Sequence, residues 1–286
     1  MTFTTRFAPS PTGPLHLGHA YSAMLAFDLA QRAGGTFLLR IEDIDQSRAR
    51  PQWEAQIFDD LAWLGLNWPE PVLRQSDNMK AYAQSLDNLW ENNLLYQCDC
   101  TRRDIEEAAN APQEGVPSHG PDGLIYPGTC RAKHPRTGPR PKNVALRLDM
   151  ATALATISGA LSYTETGMDA GEIAIMDMPT TTGDIVLARR DMGTSYHLSV
   201  VIDDAAQDIT HVIRGADLAE ATQIHVILQH LLCLPTPIYH HHRLIRDDAG
   251  KRLAKRDDAR AIAKYRAEGA TPADIRQMLG LSPSLI

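Results

Sequence analysis

Apolar residues recur at helical spacing from Leu17 to Arg32, where Leu17, Ala20, Met24, Leu25 and Leu29 fall along the pattern. The run starts just after a breaker cluster of Pro9, Pro11, Gly13 and Pro14, and Arg6 to Ala8 before it reads as a short extended segment. The chain therefore opens as strand, loop, helix. Gly34 and Gly35 break the pattern ahead of a second strand-like run, Thr36 to Ile41, and helical patterns follow over Gln52 to Leu64 and Asn78 to Asn92. Such alternation predicts a largely parallel sheet and an α/β fold. From Gln97 to Arg140 periodicity fades while Gly and Pro accumulate, which suggests an insertion. Strand-like runs return at Asn143 to Leu148 and Gly183 to Arg189. Ser195 to Val201 and Thr210 to Arg214 read as buried strands resuming the first sheet, and Ala216 to Leu232 as a helix apolar on one face. Two short helical patterns, Ala259 to Glu268 and Pro272 to Leu279, close the chain, and no internal repeat is visible. The expected organisation is a parallel-sheet domain in two halves, 1–96 and 192–245, around an inserted unit, 97–191, with a loop and helical tail over 246–286.

With 43% hydrophobic and 22% charged residues, the 286-residue chain can bury one substantial core and a smaller second one. No apolar run approaches the roughly 18 to 20 residues needed to span a bilayer, and the first residues lack the basic and apolar regions of a secretion signal. A cytoplasmic, monomeric protein with no membrane partner is expected. The net charge of -7 argues against indiscriminate coating of nucleic acid, which needs a broad positive field. Two local basic patches remain: Arg131, Lys133, Arg136, Arg140 and Lys142, and Lys251, Arg252, Lys255, Arg256 and Arg260. Each alone reads plainly as solvated surface. The four cysteines do not form a disulfide framework in a reducing compartment. Cys98 and Cys100 make a C-x-C pair, Cys130 follows a long loop, and Cys233 in the apolar run HVILQHLLCL reads as a small core residue.

A helix start presents unpaired amide donors and partial positive charge, so a Gly-containing turn from strand into helix suits a phosphate. His16-Leu17-Gly18-His19 stands at that turn, with two histidines three residues apart and Gly18 permitting close approach of a nucleotide. The second candidate is the loop Gly250 to Arg256, whose Lys255 suits the charge developing on a leaving pyrophosphate. Singly, these patterns also fit capping or core histidines and a basic surface loop. Together, separated by most of a parallel-sheet domain, they are far more specific.

Arg6-Phe7-Ala8-Pro9-Ser10-Pro11-Thr12-Gly13, His16-Leu17-Gly18-His19, Arg40-Ile41-Glu42-Asp43, Val212 to Asp217 and Arg252 to Arg256 together resemble the catalytic core of class I glutamyl-tRNA synthetases. The length is similar to that of the short branch without an anticodon-binding domain, the glutamyl-Q tRNA(Asp) synthetases, and the tail after Arg256 is too short for such a domain. The resemblance implies a Rossmann-type class I synthetase sheet with an inserted α+β acceptor-type domain. ATP would lie between a HIGH-like segment (His16, Gly18, His19) and a KMSKS-like segment (Lys255), with Mg2+, and His16, His19 and Lys255 would be catalytic. It implies glutamate activation without tRNA, then transfer to queuosine in tRNA(Asp). The glutamate site it implies comprises Arg6, Phe7, Ala8, Pro9, Ser10, Glu42, Tyr196 and Arg214. The chemistry agrees, since glutamate brings two carboxylates and one ammonium and calls for about two guanidinium groups and one carboxylate. Which arginine holds which carboxylate stays open. Other readings are a truncated synthetase charging an acceptor end, a small-molecule nucleotidyltransferase, and a zinc-stabilised RNA-binding module without catalysis.

The branch's structural zinc site is resembled by Cys98, Cys100, Tyr126 and Cys130, with His119 and His134 as alternatives for the fourth ligand. His240, His241 and His242 lie on an extended run, so their side chains alternate and make poor joint ligands, and His241 matches a histidine the family often has before the KMSKS-like loop. Asp203 and Asp204 read as scaffold or as Mg2+-adjacent. The pattern is departed from at Ala254, where serine is common, at Arg252, where lysine is usual, and at Arg243, where proline is common.

Overall fold

A computed structural model describes residues 2–109, 119–246 and 260–283. The loop Gly250 to Arg256, with Lys255, lies outside them. The opening follows the predicted pattern as β1 (Thr4–Phe7), α1 (Leu17–Arg32), β2 (Thr36–Ile41), α2 (Pro51–Trp63), β3 (Leu73–Arg74) and α3 (Met79–Glu91). The middle comprises β4 (Leu95–Cys98), α4 (Arg102–Ala109), β5 (His119–Gly120), β6 (Gly123–Leu124), β7 (Ala145–Leu148), α5 (Met150–Ala155), β8 (Ser162–Glu165), β9 (Gly171–Ala174), α6 (Met178–Thr181) and β10 (Val186–Ala188). The remainder is α7 (Tyr196–Ala206), β11 (His211–Gly215), α8 (Thr222–Leu231), β12 (Ile238–His242), α9 (Ile262–Ala267) and α10 (Pro272–Leu279).

Strands β1, β2 and β3 pair in parallel, with Thr4 opposite Thr36 and Arg40 opposite Leu73. Strands β11 and β12 are parallel to each other, and β8 adds in parallel to β12. The two sets meet where the Thr210 amide donates to the Thr4 carbonyl at 3.0 Å, which places β11 beside β1. Helix α1 leads from β1 to one side and α8 leads from β11 to the other. The crevice beyond the carboxyl ends of β1 and β11 is therefore the switch point of a doubly wound sheet, the place where such folds bind ligands. An antiparallel sheet, β10-β7-β4, forms the centre of the inserted region. The β8–β9 hairpin lies within 97–191, yet it hydrogen-bonds into the sheet of β11 and β12.

Ser195 to Val201 is not a strand. Ser195 caps a helix, its side chain accepting from the Leu198 amide at 3.4 Å, and every residue from His197 to Asp204 is buried. A helix enclosed on all sides shows no polar face, so its short β-branched run carries the same signature as a buried strand. Cys233 is also not in the core. It follows the end of α8 in a left-handed turn, at φ 54°, and is exposed. The predicted helix from Ala216 is divided, a 3-10 turn over Ala216–Leu218 preceding α8.

The tail is tied to the first half of the parallel sheet through α1. Thr271 and Asp274 form a capping box at the start of α10, and Arg276 on that helix pairs with buried Asp28 of α1 through two bonds of 2.8 Å. Asp60 on α2 is different: it is fully buried and neither carboxylate oxygen has a hydrogen-bond partner among the described residues. Burial first, and Asp59 beside it, push its carboxyl up to about 6. Because the folded state holds this proton more tightly than the unfolded chain, the penalty is absent below the unfolded value. It grows as pH rises and is complete above the folded one, at about 3 kcal/mol. Asp60→Asn should remove that pH dependence. Urea unfolding at pH 8 should show the variant gaining relative to wild type, with the gain vanishing near pH 4; an equal difference at both values would refute the assignment.

Candidate active site

The cap of α1 is built from the two histidines themselves. His16 Nδ1 accepts from the Gly18 amide at 3.1 Å and His19 Nδ1 accepts from the His16 amide at 3.2 Å, a reciprocal capping box. With Nδ1 an acceptor in each neutral ring, the proton sits on Nε2 of both. The rings are tilted by 35° with centroids 3.8 Å apart, and both line a cavity of about 350 Å³. Gly18 has a steric reason beyond ligand approach, since a Cβ there would lie 3.0 Å from the His16 ring.

The same cavity is lined by Arg6, Phe7, Ala8, Glu42, Tyr196 and Arg214. Ser10 lines the neighbouring cleft instead, and Pro9 lines neither; its carbonyl accepts from the Glu42 amide at 3.0 Å. Arg6 is fixed by a bidentate bond to buried Asp204, at 2.8 and 3.1 Å. Arg40, fully buried, bonds Asp204 at 2.7 Å and Glu42 at 3.2 Å. Burial pushes the Glu42 carboxyl up from its ordinary value, against the pull of Arg40 and Arg6. For Asp204 the guanidinium groups of Arg6 and Arg40 overcome burial and hold the carboxyl below the usual range. Asp203 points the other way, bonded by Gln75 at 2.8 Å, Asn78 at 2.6 Å and Tyr82. Both aspartates are thus scaffold, and helical spacing on α7 sets them against different neighbours.

Cys98, Cys100 and Cys130 converge, their sulfur atoms all within 4.8 Å of one another, and they could hold a metal ion. The Tyr126 hydroxyl completes the group at 3.5 Å from Cys98 Sγ and 3.3 Å from Cys100 Sγ, and accepts from the Cys130 amide at 2.8 Å. His134 instead bonds Asp99 at 2.5 Å, and His119 sits on β5. Burial pushes the Cys100 thiol up to about 11. Against burial, hydrogen bonding with Tyr126 holds Cys130 down to about 7. Arg147 donates to Cys98 Sγ at 3.3 Å and lies 3.8 Å from the Tyr126 ring centroid, a positive charge against an electron-rich donor set.

A second cleft, of about 830 Å³, runs from Glu42 and Tyr196 toward Cys98 and Cys100, with Arg48, Arg189 and Arg190 along it. Sequence reasoning missed several residues at these sites. Glu165, His197, His225 and Arg147 belong to no short motif, and Glu165 reaches His241 only because β8 pairs with β12. Ser22, 2.7 Å from His242 across the cavity wall, was likewise invisible, and His242 entered the sequence reading only as one of three consecutive histidines set aside as poor joint ligands.

The class that this fold and cavity define is the class I tRNA synthetase: residues 2–283 match the family model for tRNA synthetases class I (E and Q), catalytic domain. The chain is 64% identical over 281 residues to the glutamyl-Q tRNA(Asp) synthetase of Rhodobacter capsulatus, covering 97% of this chain and 99% of the relative. It is 39% identical over 283 residues to that of Symbiobacterium thermophilum, covering 93% and 82%. The chain belongs to the glutamyl-Q tRNA(Asp) synthetase family. Among solved structures, a glutamate tRNA ligase from Elizabethkingia meningosepticum in complex with its amino acid is similar at TM-score 0.73 and 26% identity. The glutamate-tRNA synthetase of Elizabethkingia anophelis is similar at 0.74 and 25%. The match covers 98% of this chain and 60% and 61% of those chains.

Proposed function

We propose that this chain activates L-glutamate with ATP, without tRNA, and transfers the glutamyl group to queuosine in the anticodon of tRNA(Asp). The observation carrying this reading is the sharing of one cavity by two guanidinium groups, a carboxylate and a tyrosine with the His16–His19 helix start. Arg6 and Arg214 hold the carboxylates of glutamate, Glu42 its ammonium, and Tyr196 packs beside them. The Nε2–H groups of His16 and His19 donate to phosphate oxygens, and Leu244 and Ile245 supply an apolar wall for the adenine. A carboxylate oxygen of glutamate attacks the α-phosphorus, and pyrophosphate leaves with the electrons of the broken P–O bond. Lys255 neutralises that charge, and Mg2+, when bound, would add positive charge beside it. An acceptor hydroxyl then attacks the adenylate carbonyl and AMP departs. The arginine-lined second cleft is the route for the acceptor base, and names of relatives support queuosine as that base.

The test is ATP–pyrophosphate exchange with glutamate, glutamine and aspartate, without RNA; glutamate alone should support it. Transfer to queuosine-containing tRNA(Asp) should survive removal of the terminal adenosine, and charging that requires that adenosine would point to a truncated acceptor-end synthetase.

The three thiolates and Tyr126 fit a tetrahedral zinc, which would pin the inserted domain at the edge of the second cleft. Cys98→Ser is expected to abolish stoichiometric zinc, read by elemental analysis of the purified protein, and to lower the unfolding temperature. Unchanged zinc content would remove Cys98 from the ligand set.

A further inference from the structure

Arg214 is the hub of a buried chain of hydrogen bonds. Its Nε donates to His241 Nε2 at 3.1 Å, and its Nη2 donates to the Leu218 carbonyl at 3.2 Å and to Thr222 Oγ1 at 2.7 Å. Its Nη1 lies 3.1 Å from His225 Nδ1. A guanidinium has five N–H donors and accepts nothing, so both imidazole nitrogens facing it must present lone pairs. That requirement fixes the tautomers. His241 carries its proton on Nδ1, 2.5 Å from Glu165 Oε2. His225 carries its proton on Nε2, 3.1 Å from His197 Nδ1, and His197 in turn passes its own to Asp122 at 3.2 Å. Burial, then the guanidinium itself, keeps His225 and His241 below the usual histidine range, consistent with neutral rings. Among the described residues four of the five donors are engaged, which leaves one N–H on Nη1 for a ligand in the cavity that Arg214 lines.

Glu165 is held for this task. Its Oε1 accepts from the Gly167 amide at 2.7 Å and from the His241 amide at 2.9 Å, so Oε2 is left to take the imidazole proton. The approach is close enough to exclude any side chain at residue 167: a Cβ on Gly167 would lie 2.2 Å from the His241 carbonyl oxygen and 2.8 Å from Glu165 Oε1.

We propose that Glu165 is a positioning residue for amino-acid recognition: by keeping the His241 proton on Nδ1 it offers the Nε2 lone pair to Arg214, and so aims the last guanidinium N–H into the cavity. This rests on the reading that Arg214 holds a glutamate carboxylate.

Glu165→Gln separates the electronic role from the structural one. The amide oxygen can still accept both backbone N–H groups, but its NH2 would meet Nδ1 and reverse the His241 tautomer, setting N–H against N–H at Arg214. An unpaired buried donor predicts a glutamate KM raised roughly 10- to 100-fold, with the KM for ATP and the unfolding temperature near wild type. Long-range 15N–1H spectra of wild type, with His241 assigned through His241→Asn, should show Nδ1 protonated. A folded E165Q protein with wild-type glutamate KM, or a wild-type His241 protonated on Nε2, overturns the proposal. If E165Q does not fold, the wild-type spectrum decides alone. Absence of glutamate-dependent exchange in wild type would sink the functional reading instead, and the spectrum would still decide the Glu165 geometry.

Discussion

Replacing Arg214 with alanine is expected to lower kcat/KM for glutamate by two to three orders of magnitude, about 3–4 kcal/mol, because a buried carboxylate loses its charged donor. The loss should fall on the KM for glutamate, with the KM for ATP little changed, since the His16–His19 cap is built independently of Arg214. Lysine should not rescue. Its single ammonium cannot satisfy His241, His225, Thr222 and the Leu218 carbonyl at once and still reach the substrate. Steady-state exchange kinetics of R214A and R214K decide the matter, and a wild-type glutamate KM in either would remove Arg214 from the amino-acid pocket.

The second large effect belongs to Asp204, which no substrate need touch. Asp204→Ala leaves the guanidinium groups of Arg6 and Arg40 buried without their shared partner. Removing one member of such a buried set costs about 3–5 kcal/mol, and the unfolding temperature should fall by something on the order of 10 °C. Because the folded-state carboxyl is held below its ordinary value, this contribution is present above the unfolded carboxylate range and is lost as pH falls through it toward the folded value. Urea unfolding should therefore separate D204A from wild type more widely at pH 7 than at pH values below the ordinary carboxylate range. Asp204→Asn, which keeps one acceptor oxygen, should lie between them. A D204A protein as stable as wild type at pH 7 would show that Arg6 and Arg40 find other partners.

What was legible in the sequence is what repeats locally. The helical spacing of Leu17, Ala20 and Met24, the break at Gly34 and the extended run to Ile41 are decided within a few residues, and the structure reproduces them. The histidine turn and the three cysteines were legible because their chemistry is compressed into short spacing or rare residue types. Two misreadings have separate causes. Val200, Val201 and Ile202 are surrounded on a helix as fully as they would be inside a sheet, so burial erased the period that distinguishes the two. Cys233 was judged by its apolar neighbours, but the left-handed turn after Leu232 carries it outward. The supports of the site were out of reach for a different reason. Asp204 meets Arg6 across 198 positions and Glu165 meets His241 across 76, and nothing in either local sequence announces the partner.

The pairing of β8 with β12 has a consequence for how such enzymes can be recombined. A chimera that exchanged residues 97–191 as a cassette would carry away the carboxylate that orients His241, and with it the edge of the sheet on which Arg214 stands. Grafting of acceptor preference onto this scaffold should therefore cut outside the β8–β9 hairpin, leaving residues 162–174 with the host.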